Sequence, residues 1–438
     1  MIRGHDPTHY RLNNMLRQLG YWETAKLLKH NMLAGHDNLV LRVNLDVALD
    51  KSHFIKALEA LYERHVLLRC RVKKHVRWFS FYKKVAFDEI ETRWHQVNDS
   101  AEIDAFMEQE MTRTYDHALW RAHMFALPDG TSAVCLSLCH AIVDVINATE
   151  LFNTLLTTYD ALLSGQTHKQ KTLADKPPIE TFQLHRIPRE QWIHDQAIDD
   201  LDPIAFEQSA PIEKRRPHRY HIPLSADLLN RLEAICQRVH VPFQSVLVTQ
   251  AMLTLQDCFL HKKQCSYNSL MDMRHAVRPI IATDVLGHYT VDAMQQASFK
   301  PHNLWQMTTE YGRALRQIMP ELVKFPGGRW NPDHVFETVH IEQLQEGARP
   351  LVDLSVESLM DLPLTTDYSH FHVTDFDVAQ NSIGGAHFFT LTLTRVNDNL
   401  HLLCHYAEPL VSKKTVKAYG DALLKRLEAW ANEQSQPR

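Results

Sequence analysis

The chain has 438 residues, 45% of them apolar and 23% charged, with a net charge of −5, the profile of a globular protein with a large core. That balance excludes the basic excess of a nucleic-acid binder and the acidic excess of a disordered chain, and at roughly 100–200 residues per domain the length suggests two or three domains. The opening MIRGHDPTHYRLNNMLRQLG lacks an apolar signal core, no window approaches about 18 uninterrupted apolar residues, and the seven cysteines include no CxxC. The expectation is a cytoplasmic protein with reduced thiols, no secretory signal, no membrane span and no metal site.

Residues 39–49, LVLRVNLDVAL, alternate as a strand does. A helix follows, with Ser52 as a plausible N-cap and Phe54, Ile55, Leu58, Leu61 and Tyr62 at helical spacing. RWFSFYKKVAF (77–87) reads as an aromatic strand and AEIDAFMEQEMTRTYD (101–116) as a helix. The PDG turn at 128–130 leads into TSAVCLSLCH. Between 145 and 163, Ala148, Leu151, Phe152, Leu155, Leu156, Tyr159 and Leu162 form one helical face, with Gly165 just past its end.

Residues 166–218 are polar, Pro-containing and charged, and read as a connection. A second half begins near Tyr220. Ser225 caps a helix, VPFQSVLVTQAMLTLQDCF is a more buried one, and CSYNSLMDMR is a strand. GAHFFTLTLTRVNDNLHLLCHYAEPL is a strand pair turning at Asn397–Asn399, and residues 412–433 close the chain as an amphipathic helix opening on Ser412. Strands and helices mix in both halves without a regular βαβ wind, so the class is α+β. The division is 1–165, a connecting segment 166–218, and 219–438.

His140 and Asp144, in CHAIVDV, stand at the exit of the strand-like run that carries Val134, Leu136 and Leu138. HxxxD alone is weak, because His95–Asp99 and His288–Asp292 share the spacing. Context separates them: His95 lies in a polar stretch with no flanking strand, and His288 follows Gly287 in what reads as a loop. Two readings of the pair stay open. Asp144 is an N-cap and His140 a core histidine bonded to a backbone carbonyl, or His140 is a general base held at a strand end. No GxSxG elbow supports a serine hydrolase. His401 and His405 lie in a strand-like run, too far apart to share an ion.

SLCHAIVDV resembles the HHxxxDG motif of the condensation-domain and CoA-dependent acyltransferase superfamily, which includes chloramphenicol acetyltransferase. RQLGYWETAKLLKHN (17–31), LDKSHFIKALEALYERHVLLRCRV (49–72), NSLMDMRHAV (268–277) with LGHYT (286–290), and the closing strand pair and helix match in order. The likeness is nearest to stand-alone polyketide-associated or alcohol acyltransferases and condensation-like proteins of natural product biosynthesis. It implies two chloramphenicol-acetyltransferase-like subdomains in a V-shaped pseudo-dimer with a central tunnel. His140 would be the catalytic histidine, Asp144 the structural aspartate and Arg274 its partner across the two halves.

The implied activity moves an acyl group from a CoA or carrier-protein phosphopantetheinyl thioester to a hydroxyl or amine acceptor, with no permanently bound cofactor and a monomer as the default. The alternative is a non-catalytic condensation-like docking module, which would show a tunnel blocked at Val145 or an unformed Asp144–Arg274 pair. Two positions depart from the motif. Cys139 replaces the first histidine and is not read as a nucleophile, and Val145 replaces the glycine, whose place allows close backbone approach. Ser355 and Ser358 stand where many relatives carry a Ser-Asn pair. The basic run EKRRPHRY (213–220) reads as a solvated linker or as a contact for an acidic carrier or a CoA phosphate.

Overall fold

The computed structural model describes residues 15–75, 78–83, 85–115, 117–166, 170–184, 193–194, 201–259, 263–300, 303–319, 335, 340–360, 362–397 and 399–435. Arg77 and Lys84 of the expected aromatic strand, Asp116 of the expected helix, Asp398 of the expected turn and parts of the connecting segment fall outside these residues.

The elements that place the site are, in chain order, α1 (Tyr21–Met32), β1 (Leu39–Leu45), α2 (Lys51–Arg64), β2 (Thr92–Gln96), α3 (Ser100–Glu110), β3 (Trp120–Ala126), β4 (Ser132–Leu138) and α4 (Val145–Leu163) in the first half. The second half follows with β5 (Arg216–Ile222), α5 (Ala226–Arg238), α6 (Phe243–Cys258), β6 (Gln264–Asp272), β7 (Thr290–Ser298), α7 (Leu304–Gln317), β8 (Val352–Ser358), β9 (Val373–Gln380), β10 (His387–Val396), β11 (Asn399–Glu408) and α8 (Lys413–Ser435).

Local chemistry explains most helix ends. The α2 cap is Asp50 rather than Ser52: its carboxylate accepts from the His53 amide at 2.9 Å and satisfies an otherwise orphaned donor. Ser225 and Ser412 cap α5 and α8 through the Leu228 and Thr415 amides. Gly165, with φ +71°, ends α4, and its amide returns to the Leu162 carbonyl. α3 stops at Glu110, short of the expected end.

Each half builds its own sheet. The first runs β9-β1-β4-β3-β2, antiparallel except for the parallel β3–β2 pair. The second runs β5-β11-β10-β8-β6-β7, with parallel pairing only at β8. A large apolar core lies in each half. A third cluster spans the seam, where Tyr21, Trp22 and Ala25 of α1 pack with Met273, Val277, Tyr289 and Val291 of the second half.

Three expectations need correction. First, the boundary at 219 is not clean: β5 starts at Arg216, and β9 leaves the second half to pair with β1. Phe371, Val373, Phe376 and Val378 accordingly belong to the core of the first half.

Second, the basic run 213–220 is solvated only in part: Glu213, Lys214 and Arg216 are exposed, but Arg215 and Arg219 are taken up by the protein itself. Arg215 is fully buried and donates to the carbonyls of Ala210, Ile383, Gly384 and Gln345, and burial lowers its pKa to about 10. Arg219 pairs with Asp377 at 2.6 Å. Four close carbonyls replace the water that a guanidinium loses on burial.

Third, His95 lies on a strand, β2, against His123 at 3.1 Å, while Asp99 caps α3. Neither is near His140 in the fold.

The crossing strand is held by charge. Asp377 faces Arg219 at 2.6 Å and Arg42 at 3.6 Å, and Asp375 takes His401 at 2.7 Å. Burial opposes ionisation of Asp377, yet Arg219 and Arg42 hold its carboxyl well below the usual carboxylate range. The folded-state pKa is depressed, so this stabilisation is complete above the unfolded value and is lost as pH falls below about 4. Asp377→Asn is expected to cost about 3–5 kcal/mol, because it leaves two buried guanidinium groups short of charge. Urea unfolding at pH 7 and again near pH 3 checks both size and sign; an equal deficit at the two pH values would contradict the assignment.

Candidate active site

β4 ends at Leu138, and the chain turns through Cys139–Val143, closed by the Ile142 amide on the Cys139 carbonyl at 3.0 Å. This turn, rather than strand alternation, sets the direction of His140. His140 lines a cavity between the two halves, whereas Cys139 lines a separate pocket with His30 and Tyr115. Burial pushes the Cys139 thiol up to about 11, which leaves it protonated and a poor nucleophile.

The His140 ring is oriented by its own loop. Nδ1 stands 2.7 Å from the Val143 carbonyl oxygen. That oxygen only accepts, so Nδ1 carries the proton and Nε2 is the basic nitrogen. Burial first, and then the Lys26 charge, lower the His140 pKa, against the opposing pull of Asp37, the Val143 carbonyl and Asp144. The ring is therefore neutral at pH 7.

Asp144 is fully buried and fills three roles at once. It caps α4 through the Ile146 and Asn147 amides, at 3.1 and 3.2 Å. It receives both of its 2.8 Å contacts from Arg274 Nη2, and it accepts from the Tyr289 amide at 3.0 Å. Arg274 also donates to Asp272 at 2.9 Å and lies 5.2 Å over the Tyr289 ring. Asn147, one turn into α4, donates to the Gly287 carbonyl at 2.7 Å. Gly287 has φ +145°, and a Cβ there would stand 2.6 Å from the Tyr289 ring. Only glycine lets the loop close so tightly on Asp144.

His288 lies in a loop just before β7, as its place after Gly287 predicts, but that loop is part of the site. The His288 ring is buried and meets the His140 ring edge-on, with centroids 4.7 Å apart. Burial, and then the His140 and Lys26 charges, hold its pKa well below the usual imidazole value. The signal for it was present in LGHYT, but the contact is made only when the second half folds over the first.

Further residues that sequence reasoning missed line the cavity: Lys26, Lys29, Asp37, Asn268, Thr290, Asp292 and Glu357. The space open to the centre of a water molecule is ≈ 40 Å³. Val145 lines it too, while Ser355 pairs in register with Asn268 and its buried hydroxyl has no partner among the described residues. Lys26 bridges Asp37 at 3.1 Å and Asp292 at 3.7 Å. Asn268 Nδ2 donates to Asp292 at 2.8 Å. A carboxylate only accepts, so this contact fixes the amide and leaves Asn268 Oδ1 buried without a donor among the described residues.

A model of the Condensation domain family matches residues 8–438. Nonribosomal peptide synthetase 4 of Gibberella zeae is 28% identical over 124 residues, a stretch that is 27% of this chain and 2% of that protein. Among solved structures, the first condensation domain of the CDA synthetase superposes with a TM-score of 0.70 at 10% identity, covering 97% of this chain and 98% of that one. A starter condensation domain of rhizomide synthetase RzmA, in complex with C8-CoA, gives 0.68 at 13% identity, with 98% of each chain covered. Polyketide synthase associated protein 5 from Mycobacterium tuberculosis gives 0.64 at 14% identity, covering 95% and 99%. At these identities the likeness is one of fold: an α+β chain of two chloramphenicol-acetyltransferase-like subdomains.

The Asp144–Arg274 pair has essentially no solvent exposure. Arg274→Met is expected to cost about 3–5 kcal/mol by leaving the carboxylate uncompensated, and the Asp144→Asn/Arg274→Met double variant less than the sum of the two single ones. Urea unfolding of the three proteins measures this; additive costs would mean the pair is not coupled.

Proposed function

The chain belongs to the condensation-domain family, and on that premise we propose that it transfers an acyl group from a thioester, carried by CoA or by a separate carrier protein, to an amine or hydroxyl acceptor, with His140 as general base. The observation that carries this is the place of His140 in the lining of the cavity where the halves meet. A ring whose Nδ1–H is held by the Val143 carbonyl offers Nε2 as an acceptor in the cavity where the halves meet. The acceptor attacks the thioester carbonyl while Nε2 takes its proton. The tetrahedral intermediate then expels the thiolate, which recovers that proton as the thiol. Asp144 and Arg274 do not move protons here; they hold the loop that holds the ring.

Asn268 favours an amine over an alcohol. An attacking primary amine has two N–H groups, one for Nε2 and one for a second acceptor, and Asn268 Oδ1 is a buried acceptor in want of a donor. A hydroxyl has only one hydrogen to give and would leave that oxygen unpaired.

The non-catalytic docking reading draws on Val145, which lines a cavity of only ≈ 40 Å³. Free-thiol release from acyl-CoAs and acyl-loaded carrier proteins, with amine and alcohol acceptors, separates the two. Transfer is expected from the wild type and is expected to fall roughly 10²–10⁴-fold in His140→Ala. No release from the wild type or from Val145→Gly with either donor class would establish the docking reading.

The base must be neutral to act, and its pKa is lowered. The acid limb of kcat/KM is therefore expected below the ordinary imidazole value of about 6.5. A limb above that value would point to a different base.

A further inference from the structure

Charged and polar side chains share the lining of the cavity beside His140 with apolar ones, among them Leu39, Val145, Leu270 and Leu359. Most of that charge is satisfied within the protein. Asp37 is taken by Lys26 at 3.1 Å, and Asp292 by Asn268 and Lys26. Two of the remaining groups can donate to an anion. Lys29 lies one turn beyond Lys26 on α1, lines the same cavity, and has no carboxylate within ion-pair distance among the described residues. Thr290 is 2% exposed, and its Oγ1 has no hydrogen-bond partner among the described residues. An unpaired ammonium and an orphaned hydroxyl in one cavity are a donor set for an anionic oxygen.

We propose, resting on the acyl-transfer reading, that Lys29 and Thr290 bind a carboxylate carried by one of the two substrates, so that the protein selects an amino-acid acceptor or a dicarboxylic acyl donor over its uncharged counterpart. Both sources share the chemistry. The other titratable groups facing the site leave Lys29 as the cation available for it. Burial holds His36 and His387 at about 4, and His140 is also lowered, so the three rings add no positive charge at pH 7. Lys26 is already shared between Asp37 and Asp292. Burial, and then Lys26, lower the pKa of Lys29 itself, against the pull of Asp37 and Asp292. An entering carboxylate supplies the counter-charge that this ammonium lacks.

Glu357 gives the site a pH dependence. Burial, then the Asp292 and Asp37 charges, raise its pKa to about 7. Below that value Glu357 is uncharged and tolerates an anion. Above it a third carboxylate faces the cavity, and the preference for an anionic substrate falls.

The test compares two matched pairs: glycine with glycinamide as acceptors, and succinyl-CoA with butyryl-CoA as donors. The readout is the ratio of kcat/KM within each pair, in the wild type, Lys29→Met and Lys29→Arg. Dividing one protein's ratio by another's cancels intrinsic reactivity. In one of the pairs the carboxylate preference of the wild type is expected to exceed that of Lys29→Met by roughly tenfold or more, with Lys29→Arg recovering part of it. The pair that responds identifies which substrate carries the acid. That preference is also expected to decline above pH 7 in the wild type but not in Glu357→Gln.

Equal ratios in wild type and Lys29→Met for both pairs would overturn the proposal while leaving acyl transfer standing. If no pair reacts, the acyl-transfer reading is judged separately with acyl-loaded carrier proteins as donors, and calorimetric titration with the same four compounds decides for the site. A carboxylate preference in binding that is lost in Lys29→Met supports the site, and no such preference rules it out.

Discussion

The buried Asp144–Arg274 pair is the constraint on which the rest of the site depends. One carboxylate ends β4's loop, starts α4, receives a guanidinium from the loop after β6, and accepts the amide that opens the approach to β7. A charge with no water around it must be met from all sides, and here the partners come from both halves. The seam therefore closes in one register. His140, four residues before the carboxylate, inherits its position from that closure.

Neutral histidines follow from the same burial. His140, His288, His36 and His387 stand in or beside the seam, and for each the loss of water outweighs the nearby carboxylates. Lys26, Asp37 and Asp292 keep their charges because they are paired within the cavity. An uncharged base beside a fixed set of charges is suited to taking a proton from a polar acceptor without first having to lose one. Cys139 lines another pocket and so stands apart from the His140 lining, whereas Val145 shares the cavity with His140.

The crossing of β9 into the first sheet answers a separate need. Its Asp375 and Asp377 sit between Arg42 of one half and Arg219 and His401 of the other. The strand carries apolar side chains into the core of the first half while its carboxylates stay with both halves. The two bodies are thus tied by a shared strand at one end and by the Asp144–Arg274 pair at the cavity.

Local signals in the sequence were sufficient for the α+β class, the helical faces of α2 and α4, and the serine caps of α5 and α8. These depend on periodicity and on capping within a few residues, which are properties of a short segment. They were not sufficient for the paired strand β9–β1, the burial of Arg215, the placing of His288 against His140, or the charged lining from α1, β6, β7 and β8. Each of these joins residues more than about a hundred positions apart, or sets a polar side chain against a partner that the chain supplies only on folding. By itself the sequence determined which segments form elements and which histidine stands at a strand exit. The tertiary structure alone decided which charges meet, because the energy of a buried charge depends on every group around it and not on its neighbours in the chain.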